Sequence, residues 1–365
     1  MKNYLSTKHF IILTLATTLI SLRTYSSFFI KYGKQDTWVY LLISLLILIL
    51  FFYFIINTLN KLDSPDLAKS MKKYLPKPIA HIFLFLFSIG LLLNAIESTS
   101  IESNFIYTNL FLESPIVYYL LLFLVPSIYL LTRKFSSILV FVIVAFSLLL
   151  LNDGVLAILI EPYKNYRYIF PILHSDLNID SIKCMLFLLG SLSSICIVLP
   201  YLKLLNTKKD LKKNTLISLL LVSIITIFST IGIIATLGAE RSANIFYPGF
   251  IQSDIIHILE FIEFGEFFYI FRIVIGFFIK YILSGYAIFL IYHDKIKSKK
   301  VFFSIFLVVV FILSYLVSNN NYILFNFLKY FELASIVLLL LIPLISSFII
   351  SIKLKINSKK KNISN

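Results

Sequence analysis

The sequence predicts an all-α polytopic membrane protein with ten transmembrane helices, the second five entering the bilayer from the opposite side to the first five. Three observations predict it. Hydrophobic residues make up 59% of the 365 and charged residues 14%, with a mean hydropathy of +0.93, far from the composition of a soluble domain. Apolar runs of the roughly 20 residues needed to cross a bilayer recur along the whole chain. The basic residues, which give a net charge of +15, gather in alternate connections between those runs.

The expected spans are 9 to 30, 38 to 58, 79 to 106, 115 to 131, 136 to 160, 180 to 202, 215 to 238, 268 to 292, 301 to 318 and 331 to 352. They form one transmembrane domain, 1–365, whose first repeat is 1–161 and second 180–353, followed by a basic tail at 354–365. No small-residue cleavage site follows the first apolar run, so that run reads as a retained span. Most lysines and arginines lie before His9, between Lys61 and Lys77, at Arg133 and Lys134, between Lys203 and Lys213, between Lys295 and Lys300, and after Lys353. This places both termini in the cytoplasm. The other connections collect acids: Glu113, Asp153, Glu161, Asp176, Asp180, Glu240, Asp254, Glu260, Glu263 and Glu266. In one of them Ile251, Ile255, Ile258 and Ile262 share a helical face, which fits a helix lying on the outer membrane surface or a loop helix packed on the bundle.

Because five is odd, two consecutive sets of five spans have inverted topology, and in such folds the first span of each half is commonly broken around a ligand near the midplane. The polar run Thr17, Thr18, Ser21, Arg23, Thr24, Ser26 and Ser27 marks the first break, and GSLSS at Gly190 to Ser194 the second. Small polar residues also serve plain helix packing. An arginine at membrane depth costs roughly 2.5–3.5 kcal/mol even on lenient scales, so Arg23 requires a partner or a cavity. Gly90, Asn94, Glu97, Ser98 and Ile101 form one stripe of the third span, making Glu97 the natural partner; alternatively Glu97 and Glu102 mark where that helix leaves the bilayer. Lys280 lies too deep in the eighth span to snorkel, whereas Arg272, Lys329 and Glu332 lie near span ends and receive no role.

Several function classes drop out. The basic charge sits in short loops, which argues against nucleic acid. The histidines show no ligand spacing, and no phosphate loop, nucleophile elbow or paired-carboxylate site occurs, so neither a metal, a cofactor nor an enzymatic activity is expected. Cys184 and Cys196, twelve residues apart in one apolar run, lie about 18 Å apart along a helix, too far for a disulfide.

KQDTW at 34–38, FPIL at 170–173, LPYL at 199–202 and FFIKYILSGYA at 277–287, in that order and spacing, resemble the B subunit of spore germinant receptors (GerAB or GerKB-like) in the amino acid–polyamine–organocation (APC) transporter superfamily. The resemblance covers nearly the whole chain. It implies a LeuT-like fold in the spore inner membrane, partnered by an A subunit and a lipoprotein C subunit, sensing a small nutrient, commonly an amino acid. The ligand would lie between the first, third, sixth and eighth helices. Arg23 and the neighbouring Thr18, Ser21, Leu22 and Thr24 would take its carboxylate, Glu97 its amino group, and Asn94, Ser98, Gly190, Ser191, Ser194 and Ser284 would line the pocket. In LeuT-type proteins a coupling cation sits between the first and eighth spans; the Lys280 ammonium either substitutes for it or makes a structural salt bridge. Leu19, Ser21 and Ser26 stand where the family has glycines and a proline, and Ser191 where it often has an acid. An ordinary amino-acid permease shares this topology, and a scaffold that only anchors its partners is the third reading.

Overall fold

The computed structural model describes residues 5–173, 178–258, 262–263 and 265–363. Asp176 and Glu260, read above as acids of the connections, lie outside them, as does Lys2 among the basic residues before His9. The first span is α1 (Thr7–Thr24) followed by α2 (Ser27–Gly33), with Tyr25 and Ser26 between. Next come α3 (Thr37–Asn60), a short amphipathic α4 (Leu67–Tyr74), α5 (Lys77–Asn109), α6 (Ile116–Thr132) and α7 (Phe135–Ile160). The sixth span is α8 (Ile179–Leu192), which tightens without interruption into a 3₁₀ helix over Ser193–Leu204. Then follow α9 (Leu211–Leu237), the short α10 (Ala239–Ala243) and α11 (Pro248–Asp254), α12 (Gly265–Tyr292) and α13 (Lys299–Ser318). The tenth span is α14 (Asn321–Ser335), a π segment at Ile336–Leu341 and α15 (Ile342–Ile363). Eight of these helical stretches are long and apolar enough to cross a bilayer; the shorter apolar α6 and the polar-studded α1 complete the ten.

Local chemistry explains the ends. Ser6 and His9 cap α1 reciprocally, Asn178 and Ser181 do the same for α8, and Asp66 and Ser298 cap α4 and α13. Inside α1, Thr14, Thr18 and Thr24 each donate a hydroxyl proton to the carbonyl four residues back, at 2.7–2.8 Å. These residues are buried without needing a partner on another helix. The most enclosed spans are α8 with its 3₁₀ continuation and α12; α13, by contrast, buries only the stripe Phe303, Phe306, Val310, Ser314 and Ser318.

Three expectations are corrected, and a fourth takes a particular form. Helix α5 continues to Asn109, so Glu97 and Glu102 are interior residues and do not mark the exit. The tenth helix begins at Asn321, capped by Asn320, ten residues before the expected start, which places Glu332 inside it. At GSLSS the α winding of the sixth span does end, at Leu192: the β-branched Ile195, Ile197 and Val198 and the missing N–H of Pro200 disfavour α geometry, and the chain continues in 3₁₀ turns. The isoleucine-faced segment is not one surface helix. α11 ends at Asp254, Ile256 is buried against Leu156 and Ile160 at the end of α7, and a short antiparallel pair joins His257–Ile258 to Ile262–Glu263.

Candidate functional site

The first helix stops through a single residue. Tyr25, at φ −108° and ψ 46°, leaves helical geometry but keeps a negative φ, so the interruption needs no glycine. Its phenol turns inward to a charged centre on α1, α5, α12 and α14. Glu97 Oε1 accepts from Ser21 Oγ at 2.8 Å and from Tyr25 Oη at 3.0 Å, and its Oε2 accepts from Lys280 Nζ at 2.9 Å. Lys280 also donates to Ser21 Oγ at 2.7 Å and lies 5.9 Å from the centroid of the Phe331 ring. Tyr25 Oη is also 3.0 Å from Glu332 Oε1, while Glu332 Oε2 is buried with no partner. All five polar side chains are closed to solvent. Buried charge is tolerated when paired and hydrogen-bonded, and here one ammonium faces two carboxyls.

The expected Arg23–Glu97 pair does not form. Ser21 and Arg23, two positions apart on a helix, point to nearly opposite sides. Ser21 meets Glu97, and Arg23 turns to α7, where its Nη1 lies 2.5 Å from Asp153 Oδ2. Arg272 of α12 completes this second cluster, with its Nε 3.1 Å from Asp153 Oδ1 but not aligned for a hydrogen bond.

The other sequence-expected residues divide by how their polar atoms are engaged. Thr18, Thr24, Ser98, Ser194 and Ser284 donate within their own helices, and Asn94 Nδ2 donates to Gly90 O. Ser191 Oγ, Asn94 Oδ1 and Ser26 Oγ are buried without partners. Leu22 is part of the core. Gly190 seats the backbone of α14: a Cβ there would collide with the Glu332 carbonyl. Sequence reasoning missed Tyr25, Asp153, Arg272 and Glu332. The asparagine run at 319–321, a helix cap, was the signal that would have moved Glu332 into a span.

Two solved structures have this arrangement of helices. A Na⁺-coupled sialic acid symporter, in a substrate-bound outward-open state with a novel Na⁺ site, superposes with a TM-score of 0.63 at 16% identity over 90% of this chain and 76% of its own. MhsT in complex with L-phenylalanine superposes with a TM-score of 0.69 at 14% identity over 96% of this chain and 89% of its own. The fold is therefore that of the LeuT-type transporters. Among curated proteins none matches the chain. The spore permease family, described as spore germination protein, matches residues 4–323. The chain thus belongs to that family, as a GerAB-like multi-pass membrane protein on the LeuT fold.

Proposed function

We propose that the chain is the nutrient-sensing membrane subunit of a spore germinant receptor, working in the spore inner membrane with an A subunit and a lipoprotein C subunit. It binds a small amine-bearing nutrient, such as an amino acid, beside the break after α1, and it performs no catalysis. One observation carries this reading. At the broken helix two buried carboxyls share one phenol and one ammonium, and one carboxylate oxygen, Glu332 Oε2, is left without a partner.

A phenol has one proton, so Tyr25 cannot donate to Glu97 and Glu332 together. With Glu97 held by Lys280, a positive group or a proton at Glu332 balances the centre. A ligand ammonium supplies that charge, and the unpartnered Ser26, Ser191 and Asn94 oxygens offer further polar contacts. The expected amino-group role thus passes from Glu97, occupied by Lys280, to Glu332. Lys280, bridging α12 to Ser21 of α1, serves in place of a coupling cation. Ligand binding changes the state of the receptor only through different affinities for its conformations.

Spores carrying Glu332→Gln are tested against a nutrient panel, with subunit abundance followed by immunoblot. Loss of the response to amine-bearing nutrients at unchanged abundance is expected; a normal response overturns the site. Strict dependence of the wild-type response on sodium would exclude Lys280 as the cation substitute. The likeness to a symporter and to an amino-acid complex favours a permease as second reading. Net uptake of a labelled amino acid by this chain alone in proteoliposomes would establish that alternative.

A further inference from the structure

A second set of buried charges lies on the far side of α1 from the Glu97 centre. A cavity of about 380 Å³ opens between α1, α7, α9, α11 and α12, with Arg23, Asp153 and Arg272 at its base. Arg23 is 8% exposed, Asp153 9% and Arg272 4%. Two guanidinium groups face one carboxylate, which leaves one positive charge over. The spare capacity sits on Arg272, whose Nε makes no hydrogen bond although it lies against the acid. Lys164 also borders the cavity, but its ammonium is paired to Glu161 at 2.7 Å. The mouth has the opposite character. Ile224 and Phe228 of α9, each 61% exposed, form it together with Leu150 of α7. In a chain of this fold that apolar rim faces hydrocarbon and not water.

An excess cation at the base of a cavity with a hydrocarbon-facing mouth fits an anion carried on an acyl chain. Guanidinium groups bind phosphate through paired N–H donors more readily than an ammonium does. We propose that this cavity is a lipid site in which the phosphate of an anionic phospholipid rests on Arg23 and Arg272 while an acyl chain leaves between α7 and α9. The site is separate from the nutrient site and does not depend on it. Arg23 belongs to both arguments only as a neighbour of Ser21 on the same helical turn.

The test uses the full chain, purified in mild detergent, stripped of lipid and offered phosphatidylglycerol, phosphatidylcholine, oleate or inorganic phosphate, with bound species counted by native mass spectrometry. One phosphatidylglycerol per chain is expected, retained in preference to phosphatidylcholine. Arg272→Gln lowers its retention by about tenfold, the size expected for losing a charge-assisted contact. Gly154→Leu is the second variant. No atom stands within 4 Å of where its Cβ would be, so the new side chain fills the cavity while both arginines and Asp153 stay in place. It lowers retention likewise and keeps the test decisive where Arg272→Gln fails to fold. Equal retention of phosphatidylglycerol by wild type and Gly154→Leu, or equal retention of phosphatidylcholine, overturns the proposal. So does preferential binding of oleate, which assigns the site to free fatty acids, or displacement of the lipid by inorganic phosphate alone.

Discussion

Arg23 and Lys280 are the two cations that stand out in the apolar sequence, and each has an acid in the fold, though not the acid expected for Arg23. Arg23 pairs with Asp153 and Lys280 with Glu97. Exchanging charges therefore discriminates. Arg23→Asp combined with Asp153→Arg should regain most of the stability lost by either single change, whereas Arg23→Glu with Glu97→Arg should regain none, as read by thermal unfolding of the detergent-purified protein. Each single change breaks a buried pair and should cost roughly 3–5 kcal/mol. Lys280→Leu alone should cost a similar amount by stranding Glu97, and adding Glu97→Leu should recover part of it. That buried charges mattered was legible because a charge within an apolar run is expensive. Which charges pair was not legible, since pairing depends on azimuth around the helix: Ser21 and Arg23, adjacent in a list of polar residues, face different neighbours. Sequence reads Asp153 as a loop residue and Arg272 and Glu332 as snorkelling because each lies within a few turns of a span end, where sequence does not separate an interfacial charge from a buried one.

Among the elements, the two half-repeats open differently. The first span is interrupted at Tyr25 and Ser26, and its hydroxyl-rich sequence announced the place because Ser and Thr stabilise non-α backbone locally. The sixth span has a comparable run of small polar residues but only tightens into 3₁₀ turns. Gly190 in that run is better understood as a seat for α14 than as a breaking point. A methyl group there pushes against the backbone that carries Glu332. Gly190→Ala should thus lower stability by roughly 1–3 kcal/mol, the usual scale for overpacking, and should also weaken the nutrient response of spores. A thermal midpoint unchanged from wild type would show that α14 yields freely at this contact. The π segment that follows α14 had no sequence signature in the run IVLLLL, where every residue is apolar and any helical winding buries it equally well.

At the scale of the molecule, the ten-span order was legible nearly throughout, because length, hydropathy and charge alternation are properties of the chain and do not require knowing which faces meet. The basic connections gather at one end. Lys208 donates to the Leu62 carbonyl at 2.5 Å, Lys203 to that of Leu290 and Lys299 to that of Arg133, while Leu5 pairs with the backbone at Leu204. We expect this end to face the cytoplasm. Both native cysteines are buried, so single reporter cysteines are informative. In sealed right-side-out vesicles an impermeant maleimide should label Glu113→Cys and spare Asn206→Cys, both of which replace exposed residues. The reverse pattern would invert the topology. The last turn of α1 links the two halves of the interior, holding Ser21 and Tyr25 against Glu97 on one side and Arg23 against Asp153 on the other. A roll of this turn about its axis that frees Glu97 therefore also drags Arg23 from Asp153. The turn behaves as a latch with two catches on a single bolt, and whatever tightens one catch raises the force needed to draw the other.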